Sequence, residues 1–226
     1  MRSARSLCLS CLVLTCTSSL LIATGCSSTP TPTVVLKQKA DRDFEYEQWE
    51  KAAELYAEIV NREPHDGDAQ YHYGVSLMHL KQYTKAENAL RTAHALDPQS
   101  DEIAFALAEV MHKKGEDARL FTMLRNRAHD NRSVTTWILV ADYSERNGDY
   151  DSALEAVTNA CTVEDGESAE PYYRAAVLLG RIGRTEEAVR RLRQAYAIDP
   201  RNEEVSALLI EYGEIPGPTL GLAPGR

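Results

Sequence analysis

The chain has 226 residues, 43% of them hydrophobic and 26% charged, which is enough apolar material to bury a core and too much for a chain disordered throughout. Its formal net charge is −9, and such a surface repels phosphate backbones unless its basic residues are segregated. The densest basic run, Arg181, Arg184, Arg190, Arg191 and Arg193, is interrupted by Glu186 and Glu187, so it reads as a solvated helix face and nucleic acid is not an expected partner.

The first element is an address. Arg2 and Arg5 precede a stretch from Ser6 to Thr24 without a charge, and the stretch ends at Ala23-Thr24-Gly25-Cys26. Residues 1–25 therefore read as an export signal removed on maturation. The junction resembles the bacterial lipobox, in which small residues admit the processing peptidase and the cysteine thiol accepts the lipid. That resemblance makes Cys26 the expected lipidation site and departs from the common pattern at Ala23, where leucine is usual. Removing residues 1–25 takes the net charge from −9 to −11, so charge will not hold the protein on an anionic membrane. Two or more acyl chains on Cys26 would. Ser27 follows the cysteine, which by the sorting rule of enteric bacteria implies the outer membrane facing the periplasm. Residues 26–33 close on the linker S-S-T-P-T-P-T, expected to be extended and semi-rigid. Four of the five cysteines, Cys8, Cys11, Cys16 and Cys26, fall in this leader. Cys161 stands by itself in the body beside Ala160 on an expected helix and reads as a small buried hydrophobe.

From residue 34 the chain repeats. Glu63-Pro64, Asp97-Pro98 and Asp199-Pro200 end three expected helices, and their prolines stand 34 and three times 34 residues apart. Ala52, Ala86, Leu120, Ala153 and Ala188 occupy one slot at spacings of 34, 34, 33 and 35, so five units fit before Pro200. In the second unit the pattern is Tyr73, Gly74, Leu77, Tyr83, Ala86, Leu90, Ala93, Pro98. In the fourth it is Trp137, Val140, Ala141, Gly148, Tyr150, Ala153, Val157, Ala160, and in the fifth Tyr172, Ala175, Ala176, Leu179, Gly183, Ala188, Leu192, Ala195, Pro200. This pattern resembles the tetratricopeptide repeat, a helix-turn-helix unit with aromatic, small, small, aromatic and terminal proline positions every 34 residues. Small residues let paired helices approach, and Leu and Val fill the space between neighbours.

Two units depart from the pattern. The third has Leu120, Leu124 and Arg132 where the others carry alanines and proline. The first has a weak leading helix, about Val35 to Tyr46, with Leu36, Ala40 and Phe44 in line. After Pro200, Val205, Leu208, Leu209 and Tyr212 form one stripe of a capping helix that stops at Gly213. The expected fold is all-α: a solenoid of about five repeats plus a C-terminal cap over residues 34–213. The Pro- and Gly-rich residues 214–226 are expected to be disordered.

No H-E-x-x-H, G-x-S-x-G, S-x-x-K, phosphate-binding loop or dinucleotide turn is present, so neither catalysis nor a cofactor is expected. The histidines His65, His72, His79, His94, His112 and His129 include no pair at the four-residue helical spacing of zinc ligands. They read as surface or groove residues. Asp66-Gly67-Asp68 is too short for a calcium loop and reads as a turn between units.

The tetratricopeptide resemblance implies that the first helix of each pair lines a concave, partner-binding face. The matching positions are Tyr71, Val75 and Met78; Phe105, Glu109 and His112; Ile138, Asp142 and Glu145; Tyr173, Val177 and Arg181. Tyr71, Phe105 and Tyr173 are the expected apolar anchors. Glu109, Asp142 and Glu145, with Arg181 at their edge, are expected to select a basic partner segment. Ile138 is read equally well as inter-helix packing. The Lys and Asn carboxylate clamp of the family's chaperone-tail binders has no counterpart. In layout, with anchor, linker and array, the chain is similar to the lipidated tetratricopeptide pilotins of type IV pili. That likeness implies a membrane-anchored scaffold for other envelope proteins, with regulation of a cell-wall enzyme or glycan binding as the alternative.

Overall fold

The computed structural model describes residues 31–224. The signal segment, Cys26 and the linker as far as residue 30 lie outside the described residues. Those described contain eleven α-helices in chain order: α1 Thr33–Glu45, α2 Trp49–Arg62, α3 Gly67–His79, α4 Tyr83–Leu96, α5 Asp101–Lys113, α6 Asp117–Asp130, α7 Val134–Arg146, α8 Tyr150–Glu164, α9 Glu170–Arg181, α10 Thr185–Ile198 and α11 Glu203–Glu211. Each helix packs mainly on its neighbours in sequence, which is the arrangement of a solenoid. The weak leading helix of the first unit is formed in full, with Leu36 and Ala40 buried.

Two local devices set the period. Between units, Asp66, Ser100, Ser133 and Asn202 each accept the backbone N–H three residues on, from Ala69, Ile103, Thr136 and Val205, which satisfies an orphan donor at each helix start. Within units, the turn between the two helices always contains one left-handed residue: Glu47, Lys81, Gly115, Gly148 and Gly183. The next residue then donates back across the turn to close it, as Gln82 N–H does to the Leu77 carbonyl at 2.9 Å and Arg184 N–H to that of Leu179 at 2.9 Å. Glycine takes this conformation freely, whereas Glu47 and Lys81 hold it against their own Cβ atoms.

The core follows the repeat slots. Ala52, Ala86, Leu120, Ala153 and Ala188 are all fully buried. At Gly74 the helices approach so closely that an added Cβ would come within 2.6 Å of Leu90 Cγ. The third unit answers its sequence: Leu120 stands where the other units carry alanine, and α5 and α6 pack less closely than the other within-unit pairs. A cleft of about 640 Å³ opens between α4 and α6, floored by Leu107 and Met111 of α5.

The last element differs from the sequence expectation. Residues 214–224 are laid back on the array instead of trailing away. Leu220 is buried, Arg193 Nε donates to the Leu220 carbonyl at 2.8 Å, and Leu222 N–H donates to the Arg193 carbonyl at 3.0 Å. The reason is positional. By the 102-residue offset, α11 is the first helix of a sixth unit, and its second helix would begin at Thr219, opposite Asp117. Pro224 would fall in the interior of that helix and break it, and Gly221 weakens it further, so the segment covers the exposed flank of α10 without forming a helix.

Candidate functional site

The first helices α3, α5, α7 and α9 carry the expected groove residues, and the structure sorts them into three kinds. Tyr71, Phe105 and Tyr173 are half-buried and pack on the core with part of the ring exposed. Burial, with the negative charge of Glu102, raises the Tyr71 hydroxyl; burial, with Glu204 and Glu170, raises that of Tyr173. Both phenols stay neutral. Val75 is a correction: it is 8% exposed and belongs to the core, because the 34-residue slot that faces the neighbour is filled there by a branched side chain. Met78 is half-buried against the same core.

The third kind is charged, and every member has a partner. Glu109 accepts from the Tyr143 hydroxyl at 2.8 Å and pairs with Lys113 at 3.1 Å and Arg146 at 3.5 Å. Burial pushes its carboxyl up, but these donors outweigh burial and hold it below the usual glutamate value. Asp142 pairs with Arg174 and Glu145 with Arg181, each across the gap from α7 to α9. His112 turns its Nδ1 toward Asp117 at 3.0 Å and leans on the Tyr143 ring. At the other end, Lys37 of α1 bridges Asp66 and Asp68 at the start of α3, at 3.2 and 2.8 Å.

Apart from Glu109–Lys113 and His112–Asp117, which lie within the third unit, these contacts form a ladder of charge-assisted bonds that join one unit to the next. Between α7 and α9 the rungs border a cleft of about 470 Å³ lined by Asp142, Glu145, Arg146, Tyr150, Arg174 and Arg181. The expectation of acids free to select a basic segment is therefore amended. Each acid is met by an arginine or lysine, so a basic ligand must displace that cation. Tyr143, Arg146 and Arg174 are site residues that sequence reasoning missed, although the 34-residue step from Glu109 to Tyr143 was a usable signal.

The first unit holds an aromatic cluster that was also missed. His72 stands between Phe44, Tyr56 and Tyr71, and His79 stacks on Trp49 with ring centres 3.9 Å apart. His72 is thus partly buried in a packing position, which differs from its reading as a surface or groove residue, whereas His79 stacks on Trp49 while staying exposed, as expected of a surface residue. Among the described residues no three His, Cys, Asp or Glu side chains converge as a metal site would need. The Cys161 thiol is buried and pushed up to about 11 by desolvation, so it is protonated at neutral pH.

Family profiles for the tetratricopeptide repeat match residues 43–104 and 169–202, the stretches that contain the first inter-unit junction and the whole fifth unit. Those stretches match the tetratricopeptide repeat, and the array as a whole has its helix-turn-helix solenoid fold. No curated protein sequence matches the chain. Among solved structures, the tetratricopeptide array resembles a MamA protein, at TM-score 0.57 and 17% identity over 82% of this chain and 98% of that one. A second MamA, residues 41-end from Desulfovibrio magneticus RS-1, aligns at TM-score 0.57 and 14% identity over 76% and 97%. YrrB, described as a tetratricopeptide protein with an unusual peptide-binding site, aligns at TM-score 0.51 and 16% identity over 78% and 91%. At such identities the likeness is one of fold.

Proposed function

We propose that the protein is a lipid-anchored scaffold of a bacterial cell envelope, held by Cys26 at a membrane and binding other envelope proteins through the face of its first helices. The observation that carries the reading is the recurrence of half-exposed Tyr71, Phe105 and Tyr173 along one face, at steps of 34 and 68 residues, bordered by the ion-pair ladder. A partner segment laid on this face meets one aromatic anchor in each of the second, third and fifth units and can exchange hydrogen bonds with the ladder. The peptide-binding site named for YrrB supports the ligand class. The leader, Cys26 and the Pro/Thr linker support the location, and the layout supports a role like that of a pilotin in assembling a secretion or pilus machine.

Two measurements test the halves separately. Mass spectrometry of the mature N-terminus should find a diacylglyceryl-modified Cys26, and Cys26→Ser should abolish it; an unmodified terminus at another residue refutes the anchor. Capture from detergent-solubilised envelope should return secretin or pilus components, and Tyr71→Ala with Phe105→Ala should weaken it by at least about tenfold. Recovery of cell-wall hydrolases or synthases would assign the scaffold to a different machine.

A further inference from the structure

The seat of the docked tail on α10 and the open cleft beside α4 share an arginine and an alanine three units apart. On α10, Arg193 exchanges hydrogen bonds with Leu220 and Leu222. Gly221 lies so close to Ala197 that a Cβ added to it would be 3.0 Å from the alanine's own. The residues 102 positions earlier are Arg91 and Ala95 of α4, and both line the 640 Å³ cleft. One of the two floor residues matches as well, since Leu209 of α11 stands 102 residues after Leu107 of α5, while Met111 has Gly213 as its counterpart. The corresponding pairs elsewhere are Ala57 and Asn61 in α2, Arg125 and His129 in α6, and Thr158 and Thr162 in α8. Among the second helices, α4 alone repeats the arginine and alanine that seat the tail.

At α4 the corresponding flank faces α6, the tail's counterpart by the 102-residue offset, and the 640 Å³ cleft stays open between the two helices. The Arg91 side chain keeps 59% of its surface exposed and reaches Glu87 only at 3.6 Å, while Glu87 is already bound by Lys114 and Arg119. Arg91 and Arg119 line the cleft and no carboxylate does. Charge thus favours an occupant without basic residues, as residues 214–224 are.

We propose that this cleft is a second peptide-binding site, independent of the first-helix face, and that it takes an extended segment of a partner protein in which two aliphatic side chains flank a glycine. Arg91 then donates to a backbone carbonyl of the segment, the glycine lies flat on Ala95, and the aliphatic side chains enter between Met123 and the Leu107–Met111 floor. The chain's own Leu220-Gly221-Leu222 shows the geometry on α10.

The test uses a fluorescein-labelled peptide of residues 214–224 titrated into the detergent-solubilised full chain and followed by anisotropy. Saturable binding is expected, weakened at least about tenfold by Arg91→Glu and by Ala95→Trp, and lost when both leucines of the peptide are replaced by aspartate. Both substituted side chains are exposed, and circular dichroism verifies that the helices persist. Absence of binding up to about 1 mM overturns the proposal. So does binding that is lost in Ala197→Trp but kept in Ala95→Trp, because the peptide would then be exchanging with the tail on α10. If the full chain self-associates in sedimentation and deletion of residues 214–226 abolishes this, the occupant is a second copy of the chain and the assignment to a partner protein falls.

Discussion

Replacing Leu209 with alanine tests whether the array is held by neighbour contacts alone. Leu209 is completely buried on α11, where it closes the end of the core against α10. A Leu→Ala change at such a site costs about 2–5 kcal/mol, the spread reflecting how far the cavity collapses. Against a total stability of about 5–15 kcal/mol for a domain, that loss would be felt everywhere if the chain unfolded as one unit. In a solenoid each unit contacts only its neighbours, so the loss stays at the end. Hydrogen exchange read by mass spectrometry should then show amides of α10 and α11 exchanging about 30- to several-thousand-fold faster, at 1.4 kcal/mol per tenfold. Amides of α3 and α4 should change by less than about threefold. An equal acceleration along the whole array would refute nearest-neighbour stability and show a single cooperative globule.

Deleting residues from Asn202 onward should carry the same effect further, melting the fifth unit well before the second in the same exchange experiment, because Leu192 and Ala195 lose their cover. Lys81→Gly should stabilise by about 1 kcal/mol in chemical denaturation, since Lys81 holds φ +59° at a turn where Gly115, Gly148 and Gly183 stand in other units; a destabilisation would show that the lysine contributes more than its strain. Ser144→Ala should stabilise by about 1 kcal/mol, because the Ser144 hydroxyl is buried without a hydrogen-bond partner. Acid should weaken the fold through Glu87. Burial raises its carboxyl, but Lys114 and Arg119 outweigh burial and hold it below the ordinary 4.5. A depressed folded value means the stabilisation is complete above about pH 4.5 and is lost as pH falls through the folded value. Melting temperature should drop below pH 4.5 in the wild type and less steeply in Glu87→Gln, and parallel slopes would refute the assignment.

Period and class were legible in the residues themselves. The alanine slot at 34, 34, 33 and 35 reports how closely two helices may approach, and only a small residue permits that approach, so the repeat had to be written locally. The capping oxygens at Asp66, Ser100, Ser133 and Asn202 act within one turn and are local for the same reason. The departure of the third unit was visible at Leu120, and the looser packing of α5 on α6 goes with that larger side chain in a slot that elsewhere holds alanine.

Pairing across units was decided only in three dimensions. Glu109, Asp142 and Glu145 could be placed on one face from their spacing, but whether they stood free depended on where Arg146, Arg174 and Arg181 reached from neighbouring helices. Long flexible cations have many rotamers, and no sequence period fixes which acid they meet. Val75 was placed on the groove face by register, and only the packed structure shows it buried in the core. The tail shows the largest gap between the two levels. Its prolines and glycines exclude a helix and say nothing of what it touches. It is held because α10 ends the array with one flank uncovered, a fact about the position of the last unit in space that no local pattern in residues 214–224 records.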